Sequence, residues 1–215
     1  MKPRSDRPLI IGHRGSPDRF PDNSRDGVRS ALEAGADGVE VDVRRCIEGV
    51  WVCAHDRSRA GRPIASWAFA ELRRAGVASL AEIVEVVPAD RFLYVEVKPL
   101  ATRSLWAGLD PLARLLEPRL ARTRLLSSSL GVLGAVAMVL PRVSRSWVIG
   151  ELPKAIPEGV ELSPRHTLVE ALRPLGVPLH PWTVNRAERM RALAEFGVVS
   201  ITTNRPSLAV GVLRG

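Results

Sequence analysis

The sequence predicts an α/β protein built as a single (β/α)8 TIM barrel over residues 1–215, with an antiparallel hairpin added after the second strand. Three observations carry this expectation. Eight short runs rich in β-branched residues alternate with stretches of helical period, the signature of βα repetition and a parallel sheet. Eight is also the number of strands that closes a barrel. The length of 215 residues suits one domain, and the chain shows neither a linker nor a repeat of fixed period.

The strand runs are 8–12 (PLIIG), 38–43 (GVEVDV), 91–97 (RFLYVEV), 124–128 (RLLSS), 146–150 (SWVIG), 159–162 (GVEL), 178–183 (PLHPWT) and 198–203 (VVSITT). Helical period marks 24–34, 79–86 and 186–196. The first and third of these end at Gly35 and Gly197, where a left-handed cap fits, and begin at the N-cap residues Ser24 and Asn185. The most apolar stretch, 130–140 (LGVLGAVAMVL), is too short to span a bilayer and reads as a barrel helix. Its apolar breadth leaves room for a homodimer contact or a lipid-facing surface.

One segment breaks the rhythm. After GVEVDV, the extended runs 44–47 and 50–54 are separated by two residues, so they must pair as a hairpin. With Glu48 and Gly49 as the turn, Ile47 faces Val50 and Asp42 faces His55. Glu40, Asp42, Arg44 and Cys46 then share a face with Trp51, Cys53 and His55, which folds a histidine back beside two carboxylates.

Composition excludes disorder and fibrous structure, with 46% hydrophobic and 25% charged residues. The net charge of +8 comes from 28 Arg and 3 Lys, dispersed with no run longer than a pair. Nucleic-acid binders gather such charge into stripes or tails, so no nucleic-acid partner is expected, while a positive field would still draw in a phosphorylated small molecule. The start of the chain has no apolar segment of signal-peptide length, which makes a cytoplasmic protein with no transmembrane segment the expectation. Cys46 and Cys53 could approach diagonally across the hairpin, but free thiols suit that compartment better.

Glu40 and Asp42 are spaced i, i+2 and point the same way from one strand; Glu96 ends another, with Lys98 two residues on. Alternating acids can line the wet face of a strand, but both strands are too apolar for one. Burying carboxylates together costs several kcal/mol unless a cation compensates, and a hard divalent ion with oxygen ligands, Mg²⁺ or Ca²⁺, meets that need. The first strand ends in Gly12-His13-Arg14-Gly15, where glycine permits close approach of a ligand and the arginine fork suits phosphate oxygens. His13 and His55, on opposite sides of a metal-bound phosphate, could then act as general acid and general base.

The sequence also resembles the glycerophosphodiester phosphodiesterase family. The resemblance lies in His13-Arg14-Gly15, Pro21-Asp22-Asn23-Ser24, 35–43 (GADGVEVDV), Glu48-Gly49, His55-Asp56, Val95-Glu96-Val97-Lys98, Trp182-Thr183-Val184-Asn185 and 201–206 (ITTNRP), in family order. It implies an irregular TIM barrel of lipid and glycerol metabolism that hydrolyses glycerophosphodiesters to glycerol 3-phosphate and an alcohol. By position it implies Glu40, Asp42 and Glu96 as metal ligands and His13 and His55 as the acid/base pair. Arg14 and Lys98 would hold the phosphate, with Trp182 against the glycerol. The chain departs from the family pattern at Asp22, where glutamate is usual, and at 127–130 (SSSL), where an aromatic more often follows the serine. The segment after Asp56 is also short, which implies an open site and a different or bulkier leaving group.

Two other functions compete with glycerophosphodiester hydrolysis. The short loop and the apolar helix motivate a lysophospholipase D-type reaction on the same site. The charge motivates a non-catalytic polyanion binder, against which the gathered acids argue. Elsewhere, His180 is expected to point into the barrel, His166 to start a helix or lie in a loop, and Trp51, Trp67, Trp106 and Trp147 to pack, with Trp51 alone sharing the face of His55.

Overall fold

The computed structural model describes residues 7–215. The N-terminal stretch weighed for a leader lies partly outside the described residues. In chain order the elements are β1 (Leu9–His13), α1 (Arg25–Glu33), β2 (Gly38–Arg45), β3 (Trp51–Cys53), the small hairpin β4 (Ser58–Arg59) and β5 (Arg62–Pro63), α2 (Phe69–Arg74), α3 (Leu80–Val86), β6 (Phe92–Val97) and α4 (Thr102–Leu116). They continue with β7 (Thr123–Ser127), α5 (Leu130–Val139), β8 (Ser144–Ile149), β9 (Glu161–Pro164), α6 (Val169–Leu172), α7 (Ala187–Glu195), β10 (Ser200–Thr203) and α8 (Pro206–Arg214).

Seven strands form a curled parallel sheet in the order β10-β1-β2-β6-β7-β8-β9, as a TIM barrel requires. The eighth position is filled by 178–184, which is not the regular strand expected there. Pro178 and Pro181 have no N–H to give to a ladder, so the segment pairs mainly through its carbonyls. Leu162 N donates to Pro178 O, Val199 N to Leu179 O and Thr202 N to Pro181 O, while His180 N and Trp182 N donate to Leu162 O and Pro164 O. These bonds join β9 to β10 and complete the ring.

Alternation sorts the side chains. Val39, Val41 and Val43 of β2, with Leu93, Val95 and Val97 of β6, are fully buried beneath the helices, and each such side chain contributes about 1.5–3 kcal/mol. The even-numbered residues of both strands point into the barrel, which is how Glu40, Asp42, Tyr94 and Glu96 come to face one another across it. The register sets Glu40 beside Tyr94 and Asp42 beside Glu96.

Local signals explain the helix starts. Ser24 Oγ accepts from Gly27 N at α1, and Ser79 with Glu82 forms a reciprocal cap at α3. At α7 the N-cap is Arg186, not Asn185, whose side chain is engaged with Thr203 and Asn204.

The hairpin differs from its expected register by one residue. Its loop holds three residues, Ile47, Glu48 and Gly49, because Gly49 adopts φ +81° and Gly49 N bonds back to Cys46 O. Val43 therefore pairs with Cys53, and Arg44 with Val52. Trp51 and Cys53 fall on the outer face, where Trp51 Nε1 donates to Gly108 O at 3.0 Å, so Trp51 packs away from the barrel mouth. Cys46 and Cys53 lie on opposite faces as buried free thiols.

Gly38 opens β2 where a side chain would meet the Phe92 carbonyl oxygen and, at 2.6 Å, Phe92 Cβ. Neither atom can withdraw without breaking the β2–β6 register. Gly38→Ala is expected to cost about 1–3 kcal/mol, read as a lower urea midpoint with an unchanged slope. An unchanged midpoint would show that the strands can separate freely.

Candidate active site

The strands' C-terminal ends converge on a pocket of about 230 Å³ whose lining includes His13, Arg14, Glu40, His55, Glu96, Lys98 and Trp182. Asp42 lies directly behind this lining, 1% exposed, and Lys98 Nζ reaches its Oδ1 at 2.7 Å. The structure thus brings together all eight residues singled out in the sequence. One carboxylate oxygen from each of Glu40, Asp42 and Glu96 lies within 4.8 Å of the others.

Charge balance governs this cluster. Lys98 Nζ sits 2.7 Å from both Asp42 Oδ1 and Glu96 Oε1, and Arg14 Nε lies 3.0 Å from Asp42 Oδ2. Burial opposes the charge on Asp42, but Lys98 and Arg14 outweigh it and hold that carboxyl below the usual range. Glu40 has no such partner. Burial, then the Asp42 and Glu96 carboxylates, push its pKa well up. Burial likewise raises Glu96, and Lys98 offsets part of this.

The donor set fits a hard divalent ion. All three donors are carboxylates, and Glu40 Oε1 is buried without a hydrogen-bond partner, although Oε2 accepts from Arg14 N at 3.0 Å. A divalent ion among the three carboxylates would favour the charged form of Glu40.

The two histidines are held differently. His13 Nδ1 lies 2.6 Å from Asn204 Oδ1. An amide oxygen only accepts, so Nδ1 carries the proton and the Nε2 lone pair faces the pocket, 3.9 Å from Glu40 Oε2. Burial, then Arg14, lowers the His13 pKa. His55 stands at a more exposed position, its Nδ1 2.9 Å from Asp56 Oδ1. It does not face Asp42 across the hairpin as expected; Ala54 does, with Ala54 N bonded to Asp42 O. His55 instead reaches the pocket from the loop just beyond β3, which Arg44 fixes by donating from Nε and Nη2 to the His55 carbonyl at 3.0 and 2.8 Å.

Beneath the pocket, His180 points into the barrel as expected. Its Nδ1 bonds Ser200 Oγ at 2.8 Å and its Nε2 accepts from Arg124 at 2.9 Å. Burial pushes its pKa down to about 4, so it is a neutral member of the barrel floor. Trp182 forms the wall between β9 and β10, its Nε1 donating to Ser163 O at 2.8 Å.

The sequence reading missed the asparagines. Asn23, in a left-handed conformation at φ 61°, bonds Asp42 through both ends of its amide, Nδ2 to Oδ2 at 3.2 Å and Oδ1 from Asp42 N at 2.9 Å. Asn185 Oδ1 accepts from Asn204 N at 2.9 Å, and Asn204 holds His13. The signal was present in the composition: the chain has three Asn and no Gln, and every one of the three supports this site.

Comparison with known proteins gives one consistent pattern. A family model described as the glycerophosphoryl diester phosphodiesterase family matches residues 13–101 and 118–208. A glycerophosphodiester phosphodiesterase of Caldanaerobacter subterraneus subsp. tengcongensis is 26% identical over 96% of this chain and 98% of its own. Among solved structures, an Oleispira antarctica phosphodiesterase in complex with the product sn-glycerol-3-phosphate is similar at TM-score 0.85 and 19% identity, over 97% of this chain and 98% of that one. A glycerophosphodiester phosphodiesterase from Parabacteroides distasonis is similar at TM-score 0.84 and 24% identity, over 98% of each chain. These structures share the fold of this chain.

Lys98, 8% exposed, is the ammonium that balances Asp42 and Glu96. Lys98→Met strips that charge and is expected to cost about 3–5 kcal/mol, seen as a lower melting temperature. Mg²⁺ or Ca²⁺ should raise the melting temperature of the variant more than that of the unaltered protein. Equal responses would show that the three carboxylates do not hold the ion.

Proposed function

The chain belongs to the glycerophosphoryl diester phosphodiesterase family and is a phosphoric diester hydrolase, and from that premise we propose that it hydrolyses glycerophosphodiesters to glycerol 3-phosphate and an alcohol. The observation that carries this reading is the meeting of three carboxylates, two histidines, Arg14 and Lys98 in one pocket at the barrel's C-terminal face.

Glu40, Asp42 and Glu96 would hold the divalent ion, Mg²⁺ or Ca²⁺. Bound there, it would neutralise charge developing on the phosphoryl oxygens. Arg14 is oriented for the same charge, since Asp22 and Asp42 fix its Nη1 and Nε and leave Nη2 for a phosphate oxygen. Lys98 adds a positive charge at the opposite edge. Trp182, in the wall of the same pocket, offers its ring to the glycerol.

The hydrogen bonds of the two histidines support one division of the proton transfers. His13, with its proton fixed on Nδ1 by Asn204, takes the proton of the attacking oxygen on Nε2, whether that oxygen is water or a neighbouring substrate hydroxyl. His55, whose Nδ1–H is paired with the Asp56 carboxylate, gives a proton to the leaving alkoxide. The lysophospholipid alternative gains nothing from α5, since its exposed Leu130 and Met138 do not line the pocket. No helix among the described residues is long and apolar enough to cross a membrane.

Three outcomes test this reading. Protein stripped of metal should release no glycerol 3-phosphate from glycerophosphocholine until Mg²⁺ or Ca²⁺ is restored; release without either ion would sink the metal assignment. His13→Ala and His55→Ala should each lose about 10²–10⁴-fold in kcat on that substrate. On a glycerol 4-nitrophenyl phosphodiester, whose leaving group needs no acid, His55→Ala should recover most of its rate while His13→Ala does not. The opposite pattern would exchange the two roles. Asn204→Ala should lower kcat about 10- to 100-fold while Asn204→Asp, which keeps an acceptor for Nδ1–H, stays within a few fold; equal losses would show that Asn204 only packs.

A further inference from the structure

Beside the catalytic pocket, and sharing Lys98 with it, lies a groove of about 810 Å³ between the hairpin turn, the loop after β3 and the segment following β6. Its lining is unevenly charged. Arg44, Arg45, Arg57 and Lys98 contribute four cations, and Glu48 is the acid among them. Glu48 is already engaged, accepting from Phe69 N at 3.0 Å and from Cys46 Sγ.

The cations differ in what they have left to offer. Lys98 is committed to Asp42 and Glu96. Arg45 turns away to the carbonyls of Gly49 and Ser104 and to the Trp51 ring. Arg44 spends Nε and Nη2 on the His55 carbonyl, which leaves its Nη1. Arg57 is exposed, and its guanidinium has no hydrogen-bond or ion-pair partner among the described residues. Arg57 lies near enough to Arg44 to oppose its charge, although burial and then Asp42, Asp56 and Glu96 act on Arg44 more strongly; Arg44 is partly desolvated, and Arg57 stands unpaired two residues beyond His55. Such a pair suits one more anion.

The side of the pocket matters as well. Trp182, the glycerol wall, lies between β9 and β10, whereas the groove lies beside β2 and β6, across the phosphate position. A diester whose glycerol rests on Trp182 therefore sends its other alcohol over His55 and Lys98 into the groove. We propose that this groove is the leaving-alcohol subsite and that Arg57 and Arg44 make it selective for diesters whose leaving alcohol carries a second phosphate. The proposal rests on the hydrolase reading above. In the reaction, the bond from phosphorus to the leaving alcohol breaks and an oxygen of water takes its place. One water proton leaves with the alcohol, and the products are glycerol 3-phosphate and a phosphorylated alcohol. The groove volume accommodates an alcohol of sugar-phosphate size.

A matched substrate pair tests it: glycerophosphoinositol and glycerophosphoinositol 4-phosphate, which differ by the second phosphate alone. The unaltered protein should favour the phosphorylated member by about tenfold or more in kcat/KM. Arg57→Ala should bring that ratio towards one, and Arg57→Glu below one. Calorimetric binding of inositol 4-phosphate, which needs no turnover, should weaken in step in both variants. Equal kcat/KM for the two diesters, with no dependence on Arg57, overturns the proposal and leaves the hydrolase reading intact. Failure to hydrolyse either inositol diester by protein that does turn over glycerophosphocholine overturns the proposal and leaves the hydrolase reading intact, whatever the binding of inositol 4-phosphate. Failure on glycerophosphocholine as well overturns the proposal with the reading it rests on.

Discussion

Three carboxylates gathered at the mouth of a barrel repel one another in a place where water cannot fully screen them, and the rest of the site is organised around that repulsion. Lys98 and Arg14 balance Asp42 and Glu96, while burial and the other two carboxylates push the Glu40 pKa up. The same cations are those a phosphodiester needs. The protein thus holds its acids with the residues that would meet substrate, and a divalent ion would release part of that positive charge for the phosphate.

The histidines are ordered by the same economy of partners. Asn204 pairs with His13 Nδ1 and is itself held by Asn185, so the ring nitrogen of His13 left facing the pocket is set by a chain of amides that carries no charge. Asn23 does the equivalent for Asp42, satisfying both a carboxylate oxygen and the backbone N–H. Neutral amides suit these posts because they direct hydrogen bonds without disturbing the balance of charge in the cluster.

Much of this was legible in the sequence, for identifiable reasons. Strand period placed Glu40 and Asp42 on one face, and the apolar neighbours Val39, Val41 and Val43 said that this face had to be the interior. Ser24 announced its helix because capping is local. What escaped depended on conformation rather than residue type. The hairpin register turned on whether the loop held two residues or three, which the left-handed backbone of Gly49 decides. The one-residue shift moved Trp51 and Cys53 to the outer face. The segment 178–184 had strand-like side chains, but its two prolines removed donors, so it closes the ring without regular pairing. Asn185 looked like a helix cap since nothing local reveals that its amide reaches across to β10.

Arg44 grips the loop beyond β3 by the carbonyl of residue 55 and leaves the imidazole alone. The shape of the barrel mouth is therefore written in main chain, and the chemistry in side chain, at one and the same position. On the proposed role of His55, a descendant that exchanged this histidine for another residue would inherit the same doorway with nothing to hand over a proton. Such a lineage could drift from turnover to mere capture of its ligand without first passing through an unfolded ancestor.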